Sequence, residues 1–221
     1  MLPPFPGFTP DAFAFLRALA VHNDRAWFQP RKATFDAELR DPLVLFVASF
    51  LDEARRRGLP LTGQPEKSVF RLYRDTRFSK DKRPYKTHLG AWLTPSGDKA
   101  EPGGFYVHIE PDRVFCAVGY WGAQGADLRR LRQRFADDVH LGDDLTARMA
   151  AAGARFDSDE ALKRMPQGFE VYDETPAAPF LRWKHFLAIL PFAEADTYAP
   201  SWVQTAADFA EAAMPVLDLG R

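Results

Sequence analysis

An α+β fold is predicted, with a central antiparallel sheet over about residues 68–120 and helices before and after it. Three observations point there. Apolar residues recur at helical spacing through the first third of the chain. Strand-like alternation and short β-rich runs bounded by Gly and Pro take over in the middle. Helical spacing then returns. The chain has 221 residues, 46% hydrophobic and 27% charged, a globular composition that excludes wholesale disorder, a collagen-like fibre and a disulfide scaffold. With no repeat and no long linker, one α+β domain over 1–221 is the simplest account.

Thr9 is a good N-cap and Pro10 suits the first helical position, with Phe8 and Phe13 spaced as a hydrophobic staple. Phe13, Leu16 and Ala20 continue the stripe until Asn23-Asp24 breaks it. A second helix is predicted from about Pro30 to Arg40. Asp41-Pro42 reads as a cap and first-turn proline opening a third, which carries Leu43, Phe46, Val47, Phe50, Leu51 and Ala54. Arg55, Arg56 and Arg57 suit its negative C-terminal end, and Gly58 stops it.

Strands are predicted at 68–75, 86–94, 103–110 and 113–120, the last two joined by a tight turn at Glu110-Pro111-Asp112-Arg113. Next comes a helix with Leu128, Leu131 and Phe135 inward and Arg129, Arg130, Arg132 and Arg134 on the wet side. A short helix at 158–164, a strand at 183–190 and a C-terminal helix at 199–213 complete the reading. Trp183 reads as core, and so does Cys116 in its apolar run VFCAV.

The single cysteine excludes an intramolecular disulfide and suits a cytoplasmic location. The start, MLPPFPGFTP, has neither the cationic nor the apolar part of a secretory signal. No apolar run approaches membrane-spanning length, so no membrane association is expected.

Lys and Arg total 29 and Asp and Glu 30, a net charge of −1, so only a local patch can attract an anion. Residues 67–88, KSVFRLYRDTRFSKDKRPYKTH, form that patch. Eight cations against two aspartates leave +6, so the rest of the chain carries −7. Phe70, Tyr73, Phe78 and Tyr85 are interleaved, which argues against a floppy basic tail. The segment reads as two strands joined by an ordered basic loop, with Arg and Lys suited to phosphate oxygens.

RFSKDKRPYKTHLG (77–90), GGFYVHIEP (103–111), LKRMPQGFE (162–170) and NDRAWF (23–28) together resemble a widespread family of uncharacterised proteins, a domain of unknown function. The resemblance covers roughly residues 8–190. It implies no activity. It marks Arg77, Lys80, Asp81, Lys82, Tyr85, Lys86, His88, Tyr106, His108 and Glu110 as motif positions.

Alternation places Phe105, Val107 and Ile109 toward the core and Tyr106, His108 and Glu110 on the opposite face. By the same rule Lys86, His88 and Trp92 oppose Leu89, Ala91 and Leu93, and Arg71, Tyr73 and Asp75 oppose Phe70 and Leu72. If these strands are neighbours, one polar face collects two histidines, two tyrosines, a glutamate and two cations.

The leading reading is binding of a phosphate-bearing anionic ligand, with nucleic acid among the candidates. Arg71, Tyr73, Arg77, Lys80, Lys82, Arg83, Lys86 and Tyr106 are the binding residues. The second is a hydrolase or transferase acting on a small phosphorylated or carboxylated substrate, with His88 or His108 as proton carrier and Glu110 orienting it. A third is a module whose basic loop docks an acidic partner. His88, His108 and Glu110 are also the ligand types of a two-His-one-carboxylate metal site. The surrounding cations would repel a divalent ion, so no metal and no cofactor is assigned. Weaker signals are the Gly119–Gly122 turn as a phosphate loop, Arg182–His185 as a cationic–aromatic cluster, and Ser79–Lys82 as an S-x-x-K match. The sequence has no Walker loop, dinucleotide fingerprint, H-E-x-x-H or EF-hand loop.

Overall fold

The computed structural model of the protein describes residues 2–221. A five-stranded antiparallel sheet is built from β1 (Leu89–Leu93), β2 (Gly103–Ile109), β3 (Val114–Tyr120), β4 (Arg155–Phe156) and β5 (Phe186–Phe192), in the order β1-β2-β3-β5-β4. With helices on either side of it in sequence, the fold is α+β, as expected. The sheet reaches beyond residue 120, because β5 pairs with β3 and β4 pairs with β5. The chain divides into two compact units, taken in turn.

The first unit holds residues up to Lys99, Tyr106–Cys116 and Pro191–Ala207. Thr9 caps helix Pro10–Val21, its hydroxyl accepting from Ala12 N at 3.2 Å. The Phe8 and Phe13 rings lie 6.4 Å apart, the expected staple. Asp24 caps a short helix, Arg25–Phe28, through Trp27 N. The helix expected at 30–40 is a composite of a 3-10 turn (Gln29–Arg31), an α turn (Lys32–Phe35) and a π turn (Asp36–Arg40). It runs straight into helix Asp41–Arg56, so Asp41 is helical and not a cap. The wide π turn makes room where the Pro42 ring would otherwise meet the carbonyl four residues back. The core centres on Trp202, whose ring lies 4.3 Å from Phe46, with Phe5, Phe8 and Phe192 around it. Cys116 is buried, as expected.

Residues 68–75 do not form the regular strand that the sequence predicts. Pro65–Ser68 is a helical turn, and residues 69–75 pair with the next segment only at the isolated bridges Val69↔Ala91 and Tyr73↔Tyr85. Those bridges are four residues apart on one side and six on the other. Two residues are therefore surplus between Tyr85 and Ala91. The hydrogen bonds Lys86 N to Leu72 O and Phe70 N to Gly90 O confine the surplus to 87–89. This is a bulge, and it explains why β1 begins at Leu89 and not at residue 86.

The second unit holds Ala100–Phe105, Ala117–Leu190 and Asp208–Arg221. Its two long helices are Gly125–Asp137 and Leu141–Ala151, the latter unanticipated. Phe135 stacks between Phe180 and Phe186 at 5.5 and 5.3 Å. Arg132, expected in solvent, is buried, and it donates to Trp183 O at 3.0 Å. No helix forms at 158–164; Ala161 instead bridges to Trp183, which is core. Among the described residues, no helix is long and apolar enough to cross a membrane.

Candidate functional site

Three side chains, on one face of β2 and the residue that follows it, make the centre of the site. Phe105, Val107 and Ile109 are buried on the core side of β2, as alternation requires. On the other side the Tyr106 hydroxyl meets His108 Nδ1 at 3.0 Å, and His108 Nε2 meets Glu110 Oε2 at 3.2 Å. Tyr106 fits because position 90 is glycine: a Cβ there would stand 2.5 Å from the Tyr106 hydroxyl.

The bulge supplies the rest. The Thr87 hydroxyl donates to Glu110 Oε1 at 2.9 Å, and the His88 ring lies 4.6 Å from the His108 ring. Consecutive residues of a regular strand point to opposite faces. Thr87 and His88 converge on one cluster because they occupy the surplus backbone. Phe115 stacks on the His108 ring at 4.7 Å. His88, His108 and Glu110 thus share a face, with their ligand-type atoms all within 4.8 Å of one another.

Burial and charge set the protonation states. His108 is buried, and that burial is the main reason its pKa falls to about 4; His88 and Arg113 push the same way, and Glu110 opposes. His88 is lowered by burial, with Lys86 and Arg113 adding and Glu110 opposing. Burial pushes Tyr106 up to about 12, so its hydroxyl keeps its proton. For Glu110 burial works upward, but hydrogen bonds from His108 and Thr87 outweigh it and hold the carboxylate ionised. At neutral pH the cluster is two neutral imidazoles, one phenol and one carboxylate.

Cations rim this face. Lys86 lies 5.4 Å above the Phe70 ring and Lys99 4.5 Å from the same ring. Burial lowers both lysines, and each also feels a neighbouring cation, Arg71 for Lys86 and Lys86 for Lys99. Arg113 lies over Phe115 at 5.5 Å. Lys99 also lines a cleft of about 460 Å³ between residues 62–68 and 96–99.

The expected residues separate into two sets. His88, His108, Glu110, Tyr106 and Lys86 come together, with Arg71 near Lys86. Tyr73 does not join them: its ring packs on Tyr85 at 5.1 Å. Phe70, expected in the core, takes its place, 6.3 Å from Tyr106. Without a regular strand at 68–75, alternation does not govern that segment. The loop cations form the second set. Asp75 accepts from Arg77 Nη2 at 2.7 Å; Asp81 accepts from Arg83 Nη2 at 2.8 Å and Arg74 Nη1 at 2.6 Å. Lys82 donates to Thr76 O, and Lys80 is exposed. Arg83 and then Arg74 hold the Asp81 carboxyl far below the usual range. Phe78, at the loop tip, is 94% exposed.

Sequence reasoning missed Thr87, Lys99, Arg113 and Phe115. Thr87 was hidden by the bulge; Arg113 comes after Glu110 around the turn, where Arg113 N bonds to Glu110 O at 3.1 Å. The NDRAWF motif also gains a purpose. Asn23 clamps both backbone groups of Tyr85, each at 3.0 Å, and Phe28 packs on the Tyr85 ring at 4.3 Å. That clamp fixes the base of the loop directly before Lys86.

The class defined so far is an α+β protein with a half-buried His/Glu/Tyr face rimmed by lysine and arginine. The sequence model of one family matches residues 11–218, and the chain belongs to that family, described as conserved hypothetical protein (DUF2461). No curated protein and no solved structure matches the chain.

Proposed function

We propose that the protein binds a small anionic ligand, bearing phosphate or carboxylate, on the face formed by Tyr106, His88, His108 and Glu110. Lys86 is the principal donor, supported by Arg71, Lys99 and Arg113. The observation that carries this reading is the position of Lys86: a half-buried ammonium whose charged neighbour is another cation, beside His88. A buried cation left among like charges is costly, and a bound anion offsets that cost. The nearby cleft of about 460 Å³ gives the ligand's body a place to lie.

A nucleic-acid strand is less well supported. The arginines that would grip its backbone, Arg77 and Arg83, already have aspartate partners. A second reading, proton transfer on the bound anion, draws on the Tyr106–His108–Glu110 hydrogen-bonded chain, which fixes the orientation of the His108 ring. A cytoplasmic setting belongs to the same reading, from the single cysteine.

Calorimetric titration with inorganic phosphate and with oxalate at low ionic strength tests the proposal. At least one should bind at one site, and Lys86→Met should weaken it roughly tenfold or more, the usual loss for a hydrogen bond to a charged group. Equal affinity in the variant contradicts the reading. So does steeply salt-dependent oligonucleotide binding in place of small-anion binding, which would point to a nucleic acid instead.

A further inference from the structure

We propose that His88, His108 and Glu110 hold a divalent transition-metal ion of the zinc or iron(II) type, with open positions facing the anion site. The ligand types suit it: two imidazole nitrogens and one carboxylate oxygen. Their mutual distances of up to 4.8 Å exceed the about 3–3.5 Å expected around an ion with bonds near 2.1 Å. Side-chain movement of about an ångström closes the set. His88, which stands on the bulge, is the residue that has to make it.

What raises this trio above a chance cluster is the state of the atoms that would not bind the ion. A metal-binding histidine generally has its second nitrogen fixed by a hydrogen bond, and a metal-binding carboxylate its second oxygen. Here the Tyr106 hydroxyl takes His108 Nδ1, leaving Nε2 turned toward Glu110. The Thr87 hydroxyl takes Glu110 Oε1, leaving Oε2 turned toward His108. For His108 and Glu110 the outer atom is engaged and the inner atom points into the same gap. Position 90 must be glycine for Tyr106 to reach its place.

The surrounding cations are the objection raised by the sequence. Lys86 and Arg113 both act on His88, and they do disfavour an ion with empty positions. An anionic ligand in those positions reverses the balance, since it is attracted by the ion and the cations together. Metal and anion should therefore strengthen one another's binding, reciprocally. This coupling rests on the anion-site reading, whereas the ion's three protein ligands do not.

The test is titration of the chelator-stripped full-length protein with cobalt(II), followed by its visible absorption, and with zinc(II) by calorimetry, each with and without inorganic phosphate. One ion per chain is expected, bound more tightly when phosphate is present. Tyr106→Phe should weaken it about 10- to 100-fold, the usual cost of losing an outer hydrogen bond to a ligand. His88→Ala and Glu110→Gln should weaken it further, each with an unchanged far-ultraviolet circular dichroism spectrum. Absence of stoichiometric binding overturns the metal site even if phosphate still binds the apoprotein. Binding that survives both His88→Ala and Glu110→Gln overturns it too. Tight metal binding that phosphate leaves unchanged overturns the coupling.

Discussion

The basic loop at 74–83 and the sheet face at 86–110 are adjacent in sequence and opposite in character. The loop holds most of the segment's positive charge, yet it is largely self-satisfied. Asp75 and Asp81 engage Arg74, Arg77 and Arg83, and the apolar Phe78 stands in solvent. The face carries fewer charges, but Lys86 and Glu110 are half-buried, and the charged neighbour of Lys86 is Arg71. Under the proposed function, the binding site lies not where charge is densest along the chain but where a cation is drawn out of water beside like charge, because there electrostatic energy is less screened.

Protonation gives the largest expected difference between the two regions. The folded state disfavours the charged form of His108, whose pKa of about 4 lies below the ordinary 6.5. As pH falls below about 6.5, the unfolded chain takes up a proton that the folded one refuses. Through His108, stability of the metal-free protein should fall between about pH 6.5 and pH 4 by on the order of 3 kcal/mol. Urea unfolding at pH 7 and pH 4.5 measures it. His108→Phe should remove most of the drop, and an undiminished drop would place its origin elsewhere.

A smaller effect is expected from the loop. Asp81→Asn should change stability by less than about 1 kcal/mol, because its ion pairs are exposed. It should nonetheless release Arg74 and Arg83 and so strengthen salt-sensitive binding of a polyanion such as heparin, while small-anion binding stays as it was. Loss of small-anion binding in this variant would erase the distinction between loop and face.

The β2 side of the face was legible in the sequence, whereas its contrast with the loop was not, because the pairing of Asp75 and Asp81 with the loop arginines depends on the folded loop. Alternation alone put Tyr106, His108 and Glu110 on one side of β2, because the strand is regular and its other side is wholly apolar. The α+β class came from the change of period. Residues 68–75 misled, since Phe70 and Leu72 share an alternating pattern but occupy a bridged segment with no continuous ladder. Thr87 could not have been read at all. A two-residue surplus against a partner segment exists only once both segments are paired. Arg132 misled too: its charge put it on the wet side, whereas it lies four residues after Leu128 and three before Phe135, beside the apolar stripe, where the Trp183 carbonyl accepts from it.

The most direct measurement is nuclear magnetic resonance of the isotopically labelled, metal-free protein during titration with inorganic phosphate. If the half-buried face is the site, the largest saturable shifts will fall on Lys86, Thr87, His88 and His108, while residues 75–83 barely respond. Shifts concentrated on Arg77, Lys80, Lys82 and Arg83, with both histidines unmoved, would contradict the account and hand the function to the loop.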